Sequence, residues 1–319
     1  MPPDNPYRKH LVRKEDLITT HQATRAGFIA LALEKNRQAT PTIEQARALY
    51  AAASQAATPG ALEQMTEIEH ALLTAAGVSE KAAGYLEVGD KAEAIRGLIS
   101  NFLEPAGAAF VDELVYRFLL TRGDALGGSM RNVVGVLAKR RLSRAMLAAL
   151  GLLGKPYSWL HEVGNAWIPG TGQDPDIEQY VKAISWSHNG ENRVFVYNVN
   201  VPLVKKNIDI CLLRADPTAS LKSAYKVANA YVALGELKGG IDPAGSDEHW
   251  KTANTALSRI RGAFTGAGCF PHTFFVGAAI VNSMSNEVWN QLEAGQLTNA
   301  ANLTDQLQLA SVCHWLVTV

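Results

Sequence analysis

The chain has 319 residues, 47% of them apolar and 19% charged, which is enough for a sizeable core and too apolar for a disordered chain. Lys plus Arg and Asp plus Glu are both 30, so the formal net charge is zero; this excludes a basic protein overall but not a local positive channel. The longest apolar runs, such as Ala145–Gly154 and Phe274–Val281, fall well short of the about 18 residues a membrane span needs.

The length points to about two domains. Pro2–Leu17 is charged from Arg8 to Asp16 and lacks the apolar stretch of a secretory signal. Residues 1–155 read as a mainly helical domain. Thr40-Pro41 offers an N-cap followed by proline in the first turn, which predicts a helix over Ile43–Ala56. Gly77 closes the run Ala71–Ala76 as a C-cap. Further helices are expected over Lys91–Leu103, Ala108–Leu120 and Met130–Leu153.

Residues 156–319 read as an α/β (α+β) core with a mixed sheet flanked by helices. The stretch 156–180 has no periodicity and is expected to be a loop. Ile184–Ser187 and Arg193–Val199 flank Asn189-Gly190, a hairpin signal. Strands are expected over Asn207–Leu213, Tyr231–Lys238 and His272–Val281. Ser246 is placed as the cap of a helix to about Phe264, with Trp250, Ala253, Leu257, Ile260 and Phe264 on one stripe. Another helix fits Asn286–Leu292, and the C-terminus reads as helix or strand. Cys211, Cys269 and Cys313 are far apart and form no CxxC, which reads as reduced thiols of a cytoplasmic protein.

One constellation carries chemistry. Glu236 and Lys238 share a strand face while Leu237 points the other way, and Asp209 sits between Ile208 and Ile210. If the two strands are neighbours, two carboxylates and an ammonium converge. Mg²⁺ takes one or two carboxylates, with water and substrate phosphate completing its shell. A lysine beside them orients the attacking water and balances phosphoryl charge. The motif alone is weak, since roughly one acid-x-Lys match is expected by chance in such a chain. Yet both acids lie in apolar stretches, where an unpaired carboxylate is costly. Gly239-Gly240 and Gly245 would let a polymer backbone approach, and His249 opens the next helix, where free N–H groups favour phosphate. Basic residues surround this set: Arg131, Lys139, Arg140, Arg141 and Arg144 on one tract, and Lys205-Lys206 ahead of Asp209. Together they suit double-stranded DNA.

With these residues in place, longer blocks become specific. Lys205–Cys211, Leu234–Gly245, Asp247–Leu257, Arg25–Ala30, Asn101–Gly107, Gly127–Asn132 and Leu297–Thr304 resemble the AvaI/BsoBI family of type II restriction endonucleases. That resemblance implies a PD-(D/E)xK nuclease core and a large helical domain embracing DNA. It also implies a Mg²⁺-dependent homodimer of a restriction–modification system, cutting CYCGRG with 5′ overhangs. Carried over by position, Asp209, Glu236 and Lys238 are the catalytic set, with Asp209 and Glu236 on the metal. His249 stands by the scissile phosphate as general base, and Lys81 and Asp242 contact bases. Lys206 and Arg131 are expected on the DNA backbone. Two other readings compete: a structure-specific repair or junction nuclease, which would give nicks rather than discrete fragments, and a non-enzymatic DNA-binding protein, which would show no metal-dependent cleavage.

Overall fold

A computed structural model describes residues 5–164, 166–172 and 174–319, with the side chains of 129–132 outside that description. The longer helices are α1 (His21–Ala53), α2 (Glu69–Ala75), α3 (Val88–Leu98), α4 (Phe110–Leu152), α5 (Ser246–Gly266), α6 (Asn282–Glu293) and α7 (Gln306–Thr318). The strands are β1 (Tyr157–His161), β2 (Trp167–Pro169), β3 (Val181–His188), β4 (Glu191–Val201), β5 (Lys206–Arg214), β6 (Tyr231–Lys238), β7 (His272–Gly277) and β8 (Asn299–Asn302).

Among the described residues, the eight strands form one mixed sheet in the order β2-β1-β3-β4-β5-β6-β7-β8. Pairings up to β5–β6 are antiparallel; β6–β7 and β7–β8 are parallel, which requires the crossover helices α5 and α6. The β3–β4 hairpin turns on Asn189 (φ +52°) and Gly190 (φ +79°), the pair of positive φ angles that a two-residue type I′ turn needs. One face of the sheet packs on α5 and α6 through Val194, Val196, Cys211, Leu234, Trp250, Leu257, Phe264 and Phe275. The other packs on the second half of α4 and on α7 through Leu142, Met146, Phe195, Ile210, Phe274 and Leu316. The stripe Trp250, Ala253, Leu257, Ile260 and Phe264 is buried throughout, as its helical spacing predicts.

By packing, the chain divides into two compact units: residues up to Phe28 with Val133–Val319, and Ile29–Asn132. This differs from the division expected at 155/156. The cause lies in long-range contacts of the sheet unit. Leu142, Met146 and Leu150 are buried on the sheet, and His10 bonds to Ala300 and Ser311. The second unit has its own core, including Leu49, Leu62, Leu72, Leu98, Leu103, Phe110 and Leu114.

Several local expectations are corrected. α1 begins at His21 and runs through Pro41, and Thr40 Oγ1 donates to the Asn36 carbonyl at 3.3 Å instead of capping. The two helices expected within 108–153 are one, α4; helices tolerate the glycines at 123, 127, 128 and 135 at about 1 kcal/mol each. The expected loop 156–180 contains β1 and β2, an edge hairpin too short to show a period. Ser246 is the first helical residue rather than the cap, and its hydroxyl donates to the Pro243 carbonyl at 2.8 Å. The C-terminus is a helix preceded by β8. Among the described residues no helix is long and apolar enough to cross a membrane.

Candidate active site

The site forms where β5 and β6 part. Their backbone pairing runs from Leu213↔Tyr231 to Ile210↔Gly235. A side chain at Gly235 would meet the Phe274 ring at 2.4 Å, so glycine lets β6 lie close to β7 there. Beyond that pair, the Asp209 carboxylate replaces a backbone acceptor and takes the Leu237 N–H at 3.0 Å. β6 is held on its other edge by β7, and the Ala278 N–H donates to the Lys238 carbonyl at 2.8 Å. The three side chains are thereby carried on backbone that is hydrogen-bonded on both sides.

Lys238 Nζ lies 2.9 Å from Asp209 Oδ2 and 2.7 Å from Glu236 Oε2. The Glu236 side chain is 4% exposed, Lys238 18% and Asp209 31%, so the charges run from core to solvent within one cluster. Burial, with the Asp209 carboxylate next in weight, pushes the Glu236 carboxyl up to about 7, against the pull of Lys238. For Lys238, burial works against the ammonium, but the two carboxylates outweigh it and hold the amine above its ordinary range. Lys238 is therefore a fixed cation in this arrangement.

This donor set fits a hard divalent ion. Among the described residues no three His, Cys, Asp or Glu side chains gather, but Mg²⁺ typically uses one or two carboxylates and keeps water on its other positions. A desolvated carboxylate raised by a like-charged neighbour also gains from added positive charge.

His249 lies in the first turn of α5, half-buried. Its imidazole occupies the space that side chains at two glycines would fill: a Cβ on Gly240 would lie 2.7 Å from Cε1, and one on Gly245 3.2 Å from Nε2. Gly239 is as tightly placed, with a Cβ there 2.6 Å from both Ala138 Cβ and the Val134 carbonyl oxygen. At the glycines expected to admit a polymer backbone, the structure shows close approach by His249 and α4.

The remaining expected residues are dispersed. Lys206 is exposed at the start of β5, three positions before Asp209. Asp242 is exposed on the connection from β6 to α5, and its Oδ1 accepts the Ala244 N–H at 3.0 Å, capping the turn Pro243–Gly245. Lys81 is exposed in the short helix Glu80–Ala83, in the other compact unit. Arg131 falls within α4, but its side chain lies outside the described residues. Much of the basic tract is occupied inside the fold: Lys139 faces Glu162 at 3.7 Å, Arg144 pairs with Glu178, and Arg141 donates to the Thr304 carbonyl at 3.0 Å. Sequence reasoning passed over Asn198, which has φ +55° within β4, between the ladder pairs Tyr197↔Ile210 and Val199↔Ile208. An asparagine inside a run of β-branched and aromatic residues was its only signal.

The sequence as a whole is similar to known proteins. The family model "Restriction endonuclease BsobI" matches residues 7–319. The type II restriction enzyme AvaI of Nostoc sp. is 56% identical over 312 residues, covering 98% of this chain and 99% of that protein. AvaI of Anabaena variabilis matches to the same extent. The type II restriction enzyme BsoBI of Geobacillus stearothermophilus is 51% identical over 318 residues, covering 98% of each chain. With a mixed sheet flanked by helices and near full-length similarity of this order, the chain belongs to the BsobI restriction endonuclease family and is a type II site-specific deoxyribonuclease.

Proposed function

We propose that Asp209, Glu236 and Lys238 form the catalytic centre, that the divalent ion is Mg²⁺, and that the enzyme cuts CYCGRG in double-stranded DNA to leave 5′ overhangs. One observation carries the site assignment: the Lys238 ammonium lies within 3 Å of both carboxylates. A homodimer fits a palindromic target, each subunit cutting one strand. Three free thiols accord with work in the cytoplasm.

Asp209 and Glu236 would hold Mg²⁺, which when bound supplies charge stabilisation at the reacting phosphoryl group. Lys238, kept cationic by both acids, orients the attacking water and faces the charge growing on the phosphate oxygens. His249 takes the proton from that water as its oxygen bonds to phosphorus and the bond to the leaving oxygen breaks. Lys206 and Arg131 bind the DNA backbone, and Lys81 and Asp242 read bases. For Asp242 this means exchanging its bond to the Ala244 amide for a base amino group.

Digestion of a plasmid of known sequence with Mg²⁺, followed by mapping of the fragment ends, tests the reading. Discrete fragments ending in 5′ overhangs at CYCGRG are expected. Ends at another sequence would overturn the target, and unchanged digestion by Lys238→Ala would overturn the centre.

A further inference from the structure

We infer that Asn198 is a positioning residue for Asp209, acting through its left-handed backbone. The inference rests on the proposed role of Asp209 at the catalytic centre. On a regular strand, residues two apart share a face and consecutive residues do not. β4 and β5 break this rule at the same level. Tyr197 and Ile210 are paired and pack on the α4/α7 side, while the next pair, Val199 and Ile208, packs on the α5/α6 side. Asn198 and Asp209 lie between these two pairs, at the same level of the ladder.

The break has a chemical consequence on β5. On β6, Leu234 packs on the α5/α6 side, so alternation puts Glu236 and Lys238 there too. Asp209 Oδ2 reaches Lys238 Nζ, yet Ile208, immediately before it, is buried on that same side. Two consecutive residues on one face require an irregularity of the bulge type. β4 supplies the matching irregularity at Asn198, with φ +55°, so the ladder continues into Val199↔Ile208 without a register slip. The Asn198 side chain is exposed and makes no hydrogen bond among the described residues. Its contribution is its backbone, since asparagine enters the left-handed region more readily than other side-chain-bearing residues. Backbone held in that region beside a functional group is a known way to aim a side chain.

The test uses the full chain with Asn198→Gly, which accepts the positive φ, and Asn198→Val, whose branched Cβ opposes it. Mn²⁺ bound without DNA is measured by electron paramagnetic resonance, single-turnover cleavage with Mg²⁺, and duplex affinity in Ca²⁺. Asn198→Gly should stay within about twofold of the parent on all three. Asn198→Val should lose about tenfold or more in Mn²⁺ affinity and cleavage rate, the fold equivalent of backbone strain, with duplex affinity kept within about twofold. A valine variant like the parent would overturn the inference, as would a glycine variant as poor as valine, which would assign the role to the side chain. If the valine variant does not fold, Asn198→Ala decides: Mn²⁺ affinity and cleavage more than about twofold below the glycine variant support the inference, and values within about twofold of it overturn the inference. Asp209→Asn separates the two readings. If it loses Mn²⁺ while Asn198→Val keeps it, only the inference fails; if it keeps Mn²⁺, the reading of the centre fails.

Discussion

The Leu237 amide donates to Asp209 Oδ2 at 3.0 Å, so a side chain prolongs the bonding of β5 to β6 beyond their last backbone pair. The same oxygen receives Lys238 Nζ at 2.9 Å. The cluster is thus part of the sheet's own hydrogen bonding, which would pre-order the proposed centre before substrate arrives.

Replacing Lys238 by alanine removes the cation between two acids. Cleavage should fall by about 10²-fold or more, while gel-shift affinity for DNA is kept. Metal-free stability should also drop, by about 3 kcal/mol, because the buried Glu236 carboxylate loses its partner. Added Mg²⁺ should restore much of that loss in thermal melts. A variant that melts and cuts like the parent contradicts both expectations.

Glu236→Gln should show the reverse pattern in stability. The folded carboxyl, raised from 4.5 to about 7, costs nothing below pH 4.5 and destabilises the fold as pH rises through 7. The parent without metal should therefore lose on the order of 2–3 kcal/mol across that window, and the glutamine variant should not. Mg²⁺ should stabilise the parent at pH 8 and leave the variant's melting temperature unchanged. Parallel melting-versus-pH curves for the two proteins would refute the assignment.

Gly240→Ala places a methyl 2.7 Å from His249 Cε1. The imidazole is the far end of a side chain and can swing away, so the melting temperature should move little. Single-turnover cleavage should slow as it does in His249→Ala, with DNA affinity preserved. Full activity in Gly240→Ala together with a slow His249→Ala would mean that the ring's place over Gly240 does not matter to the chemistry.

His10 gives a pH dependence away from the centre. Its Nε2–H donates to the Ala300 carbonyl and Nδ1 accepts the Ser311 hydroxyl, each at 2.8 Å. Burial lowers its pKa from 6.5, against the bond to Ala300 and the charge of Asp305. A depressed histidine contributes stability that is present above pH 6.5 and lost as pH falls through the folded value. His10→Ala should cost about 1–3 kcal/mol at pH 8 and flatten the acid side of the melting profile. A profile of unchanged shape in the variant would exclude His10 as its source.

What the sequence reveals depends on how local the cause is. Asn189-Gly190 specifies its turn by itself, and the stripe from Trp250 to Phe264 needs only helical spacing. Asp209 and Glu236 stand out because a carboxylate within an apolar strand requires a partner. The continuity of α1 through Pro41 is not readable from Thr40-Pro41, since a cap and a helix interior share those residues. Nor do Lys139 and Arg144 announce their acids, because Glu162 and Glu178 come from distant positions. The inversion at Asn198 and Asp209 belongs to a strand pair and is absent from either strand read alone.

Asp16 and Leu17 fasten onto the segment around α7: Asn302 Nδ2 donates to the Leu17 carbonyl and Gln308 Nε2 to the Asp16 carbonyl, across 285 and 292 positions of sequence. Contacts of such separation form late, after the costly closure of nearly the entire chain. On the ribosome the opening segment must wait, unpartnered, until α7 emerges. A nascent chain therefore cannot complete its sheet unit until α7 has been made, however early its central strands pair.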